Sequence, residues 1–162
     1  MTVFINYDTL FLVISMEDLS IMVGEYKLNI RVGVIFKYQG KVLIEIRKDR
    51  IGNSVIPGGR LKISESSCDA LIREIKEEMN ITLDKEKLIY NNTIEEFFTF
   101  DNTKYHEIFF VYKYLVDDAF YQKLLTIKEN KDNHITEYIF VNPNEFDKVN
   151  LLPLEIRDII IK

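Results

Sequence analysis

The chain has 162 residues and a mass of 19.2 kDa, a length that fits one compact domain able to bury about two-thirds of the surface its unfolded form exposes. Its composition is 47% hydrophobic and 29% charged, with eleven Phe and nine Tyr. That excludes intrinsic disorder, because disordered chains lack the apolar mass to offset ordering entropy. A net charge of −5 excludes a general affinity for the nucleic-acid backbone, which needs a surplus of Lys and Arg to displace condensed counterions.

A small anionic ligand stays compatible with this charge only if local cations or a bound metal hold it, since the mean field of the protein repels it. Cys68 is the sole cysteine, so no intrachain disulfide and no zinc site on paired thiolates can form, and a cytoplasmic, reducing setting is expected. The longest apolar run, Leu10 to Ile14, is far too short to cross a bilayer, and the first 26 residues hold no Lys or Arg to begin a signal peptide. The expectation is a soluble protein with no membrane partner.

In chain order, Thr2 to Val23 mixes short apolar runs with Asp8, Glu17 and Asp18 and reads as one or two strands. Residues 1–27 form an N-terminal extension to a single domain spanning 1–162. Three roles stay open for it: extending the sheet, pairing across a homodimer, or lying partly upstream of a start at Met16 or Met22. Val32 to Tyr38 and Lys41 to Arg47 are strands joined at Gln39-Gly40, a tight hairpin signal because Gly accepts positive φ without strain. Lys48 to Gly59 is a loop with a short strand near Val55-Ile56, ended by Pro57-Gly58-Gly59, where the backbone can approach another group closely.

Cys68, Leu71, Ile72, Ile75 and Met79 recur at helical spacing, so Ser66 to Met79 is expected to be an amphipathic helix with Ser66 and Asp69 as a capping box. Asn80 stands where a helix end needs a left-handed residue. Leu88 to Phe100 and Lys104 to Val116 are expected as a long hairpin turning near Asp101-Asn102, followed by a helix over Asp118 to Thr126 and a strand over Ile135 to Val141. A helical turn after Pro143 and a closing helix over Leu154 to Ile160 complete the chain.

The polar side of the Ser66 to Met79 helix carries Arg73, Glu74, Glu77 and Glu78. Glu74 and Glu78 repel at i, i+4, and only Glu77 has a well-placed internal partner, Arg73 at i−4. A hard divalent ion, Mg²⁺ or Mn²⁺, would relieve that repulsion, since such ions take carboxylate oxygens and complete their shell with water and phosphate. Seen alone, an acidic helix is more often an ordinary solvated face. The spacing decides otherwise. Gly59, Glu65, Arg73, Glu74, Glu77 and Glu78 stand in the order G-x5-E-x7-R-E-x-x-E-E, and chance matching of six such positions is on the order of one in ten million per window.

With the aliphatic Ile75 and Ile81, residues 59–81 resemble the Nudix box, G-x5-E-x7-R-E-U-x-E-E-x-G-U, of the MutT-like Nudix hydrolases. Asn80 replaces the second Gly of the box, and Ser54 stands where many members carry an aromatic residue three positions before the Pro. The likeness extends from about Leu28 onward and implies an α/β fold, the Nudix α/β/α sandwich with a mixed central sheet. It implies metal-dependent hydrolysis of the diphosphate linkage of a nucleoside di- or triphosphate derivative, releasing a nucleoside monophosphate. Glu74, Glu77 and Glu78 with the Gly58 carbonyl would bind the metal, Glu74 or Glu78 would act as base, and Glu65 and Arg73 would tie loop to helix. Gly59, Glu65 and Arg73 are thus structural parts of the box.

Members also take a base or a further ligand from later segments; Glu95, Glu96 and Glu137 are available, each read as an ordinary surface residue. Arg47, Arg50 and Arg60 flank the Pro57-Gly58-Gly59 turn and are candidates for phosphate contacts. Phe97, Phe98, Phe100, Tyr105, Phe109, Phe110 and Tyr112 could stack a nucleobase, yet strand alternation assigns most of them to the core. His106 is a candidate to line the pocket, though with His134 it reads more often as a polar surface residue, and Cys68 reads as inert packing. A Nudix-like module that binds nucleotide without cutting it is the alternative, though it would be expected to have lost box carboxylates.

Overall fold

The computed structural model describes residues 17–47, 53–131 and 135–162. The strands expected between Thr2 and Met16 lie outside that set, as do Arg50 and His134. The expected extension is described only at its C-terminal end, where Ser20–Val23 (β1) pairs antiparallel with the start of Tyr26–Tyr38 (β2).

β2 begins six residues before the apolar run that announced it. Its early residues alternate polar and apolar side chains, a pattern that becomes a strand only because the parallel neighbour Thr103–Tyr114 (β7) pairs with it from Tyr26↔Lys104 to Phe36↔Tyr114. At its far end the expected hairpin forms. Gln39 and Gly40 both take positive φ, 46° and 80°, the turn that matches the twist of two-residue hairpins. Lys41–Arg47 (β3) pairs with β2 only at Lys37↔Val42 and Tyr38↔Lys41. It then diverges to lie between Ser54–Val55 (β4) and Thr136–Val141 (β8). Gly58–Arg60 (β5) returns along β2 in the register Arg31↔Arg60, Val32↔Gly59, Gly33↔Gly58. Leu88–Phe100 (β6) pairs antiparallel with β7 through a turn at Asp101 and Asn102, both at positive φ.

The result is a mixed sheet in the order β4-β3-β2-β7-β6. Three helices follow the expected positions, Ser67–Met79 (α1), Asp118–Leu125 (α2) and Leu154–Ile161 (α3). Short 3₁₀ turns occupy Lys85–Lys87 and Pro143–Glu145.

Strand periodicity divides the core. Val32, Val34 and Phe36 point to one face, where they meet Ala70, Leu71, Ile75 and Met79 of α1 and Leu124 of α2. Ile35 points to the other and meets Phe109, Val111, Ile94 and the α3 residues Ile156 and Ile160. Both faces of β2 are therefore covered, which is why its second half reads as an unbroken apolar run. Leu71, Ile75 and Met79 are essentially fully buried, each contributing roughly 2 kcal/mol of transfer free energy that holds α1 on the sheet. Helices on both faces of a mixed sheet make the α/β/α sandwich expected from the sequence.

Candidate active site

α1 is fixed at both ends. The Ser66 hydroxyl accepts the Asp69 N–H at 3.1 Å and donates to the Asp69 carboxylate at 2.6 Å. At the other end Asn80 adopts φ 55°, its N–H shared between the carbonyls of Ile75 and Lys76. Asn thus fills the left-handed position where the box carries Gly, because its short polar side chain tolerates that conformation.

Arg73 organises the loop before the helix. Its Nη2 and Nε donate to the two Glu65 oxygens at 2.6 and 3.0 Å, and Nη2 also donates to the Arg60 carbonyl at 3.0 Å. The Lys62 N–H donates to Glu65 at 2.6 Å. Burial alone would push the Glu65 carboxyl up, but the hydrogen bonds from Arg73 and Lys62 outweigh it and leave it below the usual carboxylate range. Arg73 is in turn held further above its ordinary value, first by the Glu65 hydrogen bond.

Arg73 Nη1 donates to Glu74 at 2.6 Å and to Glu77 at 3.2 Å. Helical spacing alone paired Arg73 with Glu77 and left Glu74 without an internal partner. The difference arises because Glu65 draws the guanidinium across the start of the helix, where its five donors also reach the adjacent residue. Two of the three carboxylates are thereby bridged by one cation.

Glu74 is mostly buried and rests on Gly59. A Cβ at Gly59 would overlap the Glu74 carboxyl group. Burial raises the Glu74 carboxyl above its ordinary value despite the Arg73 hydrogen bond that opposes it. Gly58 is required for a separate reason: its φ is 155°, and a Cβ there would run into the Val32 carbonyl and lie 2.7 Å from the Gly33 Cα.

Glu78 points toward β8, where the Tyr138 hydroxyl donates to it at 3.4 Å. Tyr138 is 4% exposed. Burial, then the charges of Glu45 and Glu78, push its hydroxyl well above the usual tyrosine range, so it remains a donor at neutral pH. Glu45, the register partner of Tyr138 on β3, is itself buried. Neither residue was singled out from the sequence. The available signal was a charged residue between Ile44 and Ile46 in an otherwise apolar strand.

Among the described residues, no three His, Cys, Asp or Glu side chains are gathered tightly enough to hold a metal. Their chemistry nonetheless fits a hard divalent ion: α1 supplies three carboxylates, and the bare Gly59 surface brings Glu74 against the turn that contains the Gly58 carbonyl. Arg60 stands half-exposed, 3.5 Å from Asp18. Arg47 ends β3, and its side chain lies outside the described residues, as does Arg50.

Glu95 bonds His106 on β7 at 2.8 Å, Glu96 faces Glu107 on β7, and Glu137 lies beside Ile46 on β3. Cys68 is half-buried against the α1 core, its thiol pushed up by burial. The aromatic run departs from the expected core placement. Phe109 and Tyr112 are buried, but Phe97, Phe98 and Phe100 are 63%, 37% and 42% exposed. These three lie toward the β6–β7 turn, beyond both helix-covered clusters.

A mixed sheet between helices, with a carboxylate-bearing helix tied beneath a double-glycine turn, defines the Nudix class of α/β/α sandwich. The NUDIX domain model matches residues 27–160, and the chain belongs to the Nudix family. It is accordingly a pyrophosphohydrolase acting on acid anhydrides in phosphorus-containing compounds.

Solved structures with the same fold include a NUDIX hydrolase from Nitrosomonas europaea, with TM-score 0.59 and 17% identity, covering 83% of this chain and 87% of that one. A MutT NUDIX hydrolase from Burkholderia pseudomallei gives TM-score 0.58 and 19% identity, covering 83% and 96%. The dihydroneopterin triphosphate pyrophosphohydrolase of E. coli gives 0.56 and 19%, covering 82% and 91%. No curated protein matches the chain.

Proposed function

We propose that the protein hydrolyses the diphosphate linkage of a nucleoside di- or triphosphate derivative in a divalent-metal-dependent reaction, releasing a nucleoside monophosphate. The observation that carries this reading is the seat of Glu74 on Gly59, which joins the carboxylate helix to the glycine turn at the start of the box. Glu74, Glu77 and Glu78, with the Gly58 carbonyl, would hold Mg²⁺ or Mn²⁺. The ion, when bound, supplies neutralisation of the diphosphate charge and a lowered pKa for a water molecule.

The remaining work falls to the chain. Glu74 or Glu78 takes the proton of the attacking water, since either is a carboxylate on the helix face that would hold the ion. Arg73 and Glu65 fix the loop against the helix so that Gly58 and Glu74 keep their relative position. Arg47, Arg50 and Arg60 are the cations available to the phosphates near the turn. A dinucleoside or sugar group beyond the diphosphate is left open by these residues.

The partner is therefore a small nucleotide. A net charge of −5 opposes nucleic-acid binding, no helix among the described residues is long and apolar enough to cross a membrane, and the single cysteine suits the cytoplasm. The test is a panel of nucleoside triphosphates, nucleotide sugars, ADP-ribose and dinucleoside polyphosphates with Mg²⁺ or Mn²⁺. Turnover of at least one, abolished by EDTA and restored by metal, is expected. No turnover of any would favour a binding module.

A further inference from the structure

Arg73 restrains two of the three box carboxylates, Glu74 and Glu77. Glu78 is the penultimate residue of α1, where the helix itself gives least support, because the final four carbonyls have no intrahelical donor and helix ends fray. Its support comes from the last third of the chain. The Lys131 N–H donates to the Glu78 carbonyl at 2.9 Å, and the Tyr138 hydroxyl donates to the Glu78 carboxylate at 3.4 Å.

These two donors belong to one unit. The Tyr138 N–H donates to the Lys128 carbonyl at 3.1 Å and the Asn130 N–H to the Thr136 carbonyl at 2.9 Å, with Glu129 and Glu137 bridged antiparallel between them. Residues 128–131 thus run beside β8 as a short arm. The other edge of β8 pairs with β3 from Val42↔Val141 to Arg47↔Thr136. A strand bonded on both edges is a rigid platform for a side chain that must point accurately.

The hydroxyl, rather than the ring, is the informative part of Tyr138. The ring packs in the same apolar cluster as Leu71, Ile75 and Met79 of α1, and the residue is 4% exposed. Phe would fill that space without bringing a polar atom to satisfy. A hydroxyl carried into such a site needs a partner, and the partner here is a carboxylate of the box. At 3.4 Å the bond is long and adds little to stability. Its effect is on the rotamers of a long Glu side chain, which are numerous when nothing restrains them. The Lys131 bond sets where that side chain starts, and the Tyr138 hydroxyl sets the direction in which it ends.

We propose that Tyr138 is a positioning residue for the metal site: its hydroxyl orients the Glu78 carboxylate toward the face it shares with Glu74 and Glu77, so that the divalent ion meets a ligand already in place. Donors outside the ligand set act in this way when they fix the direction of a ligating carboxylate. The inference rests on the metal-dependent reading above and adds to it a residue sixty positions from Glu78, outside the box. The three carboxylates then have two independent supports, Arg73 for Glu74 and Glu77 and β8 for Glu78.

Binding of Mn²⁺ alone to the full chain, followed by the electron paramagnetic resonance of the free ion, tests this without requiring a substrate. Tyr138→Phe should weaken Mn²⁺ binding about tenfold, the lower end for loss of such a partner. The melting temperature without metal should stay within about 3 °C of wild type, because the ring is kept. In a Glu78→Ala background, where no carboxylate is left to orient, adding Tyr138→Phe should change Mn²⁺ affinity by less than about twofold. Equal Mn²⁺ affinity in wild type and Tyr138→Phe would overturn the inference and leave the metal-dependent reading standing. So would the same loss recurring in the Glu78→Ala background, since Tyr138 would then act through something other than Glu78. A wild-type chain that binds no Mn²⁺ would remove the inference and the metal-dependent reading together.

Discussion

The carboxyl group of Glu74 occupies the space where a Cβ of residue 59 would stand. The first glycine of the box is therefore a contact surface for a carboxylate rather than a source of flexibility. Gly58, beside it, is excluded from substitution by backbone atoms of β2 and by its own φ.

These two causes predict different consequences. Gly59→Ala meets the flexible end of one side chain, so the melting temperature should fall by only a few degrees while the turnover rate drops at least tenfold as Glu74 is displaced. Gly58→Ala meets the Val32 carbonyl and should cost about 3 kcal/mol or more. Thermal unfolding with steady-state kinetics separates them. Equal stability losses in the two variants would contradict the distinction.

Arg73→Ala removes the cation from Glu65, Glu74 and Glu77 together. Glu65 keeps the Lys62 N–H but loses its cation while largely buried, which should cost about 2 kcal/mol. Because the folded Glu65 carboxyl lies below its unfolded value, the stabilisation it contributes is present above that unfolded value, near 4.5, and fades as pH falls. The wild type should therefore lose its advantage over Arg73→Ala in acid. A denaturant midpoint difference independent of pH between 3 and 7 would count against this account.

Glu77→Gln and Glu78→Gln should each lower the rate by two or more orders of magnitude and raise the Mg²⁺ concentration for half-maximal rate, with little change in melting temperature. Both side chains sit on the polar face of α1 and carry none of its core packing. Wild-type rates in either variant would remove that residue from the metal site.

Glu96 gives a pH signature of opposite sign. Its folded carboxyl, at about 7, lies above the unfolded value of 4.5. The folded state binds the proton more tightly, so its stabilisation is complete below about pH 4.5 and lost as pH rises through about 7. After allowance for solvent screening the effect is about 1 kcal/mol. Glu96→Gln should be more stable than wild type at pH 8 and show no such gain at pH 4. Parallel melting curves at both pH values would refute the shift.

Much of the fold was legible because local chemistry agrees with it. Gln39-Gly40 and Asp101-Asn102 mark hairpins through their tolerance of positive φ. Ser66 and Asn80 mark the ends of α1 through capping. The spacing from Gly59 to Glu78 located the carboxylate helix and the turn it packs against, since both lie within one short stretch of chain. The early half of β2 was not legible, because Tyr26 to Arg31 acquire their strand from pairing with β7, almost eighty residues away.

The sequence by itself determined the family, the helix that carries Glu74, Glu77 and Glu78, and the glycine turn beside it, since each depends on residues close together in the chain. Tertiary structure alone decided that Arg73 bridges Glu74 as well as Glu77, that Tyr138 reaches Glu78, and that Asn29, Glu96 and Glu107 share one row. Those relationships depend on strand register and on where a long side chain is drawn by a distant partner, and no periodicity within a single segment records either.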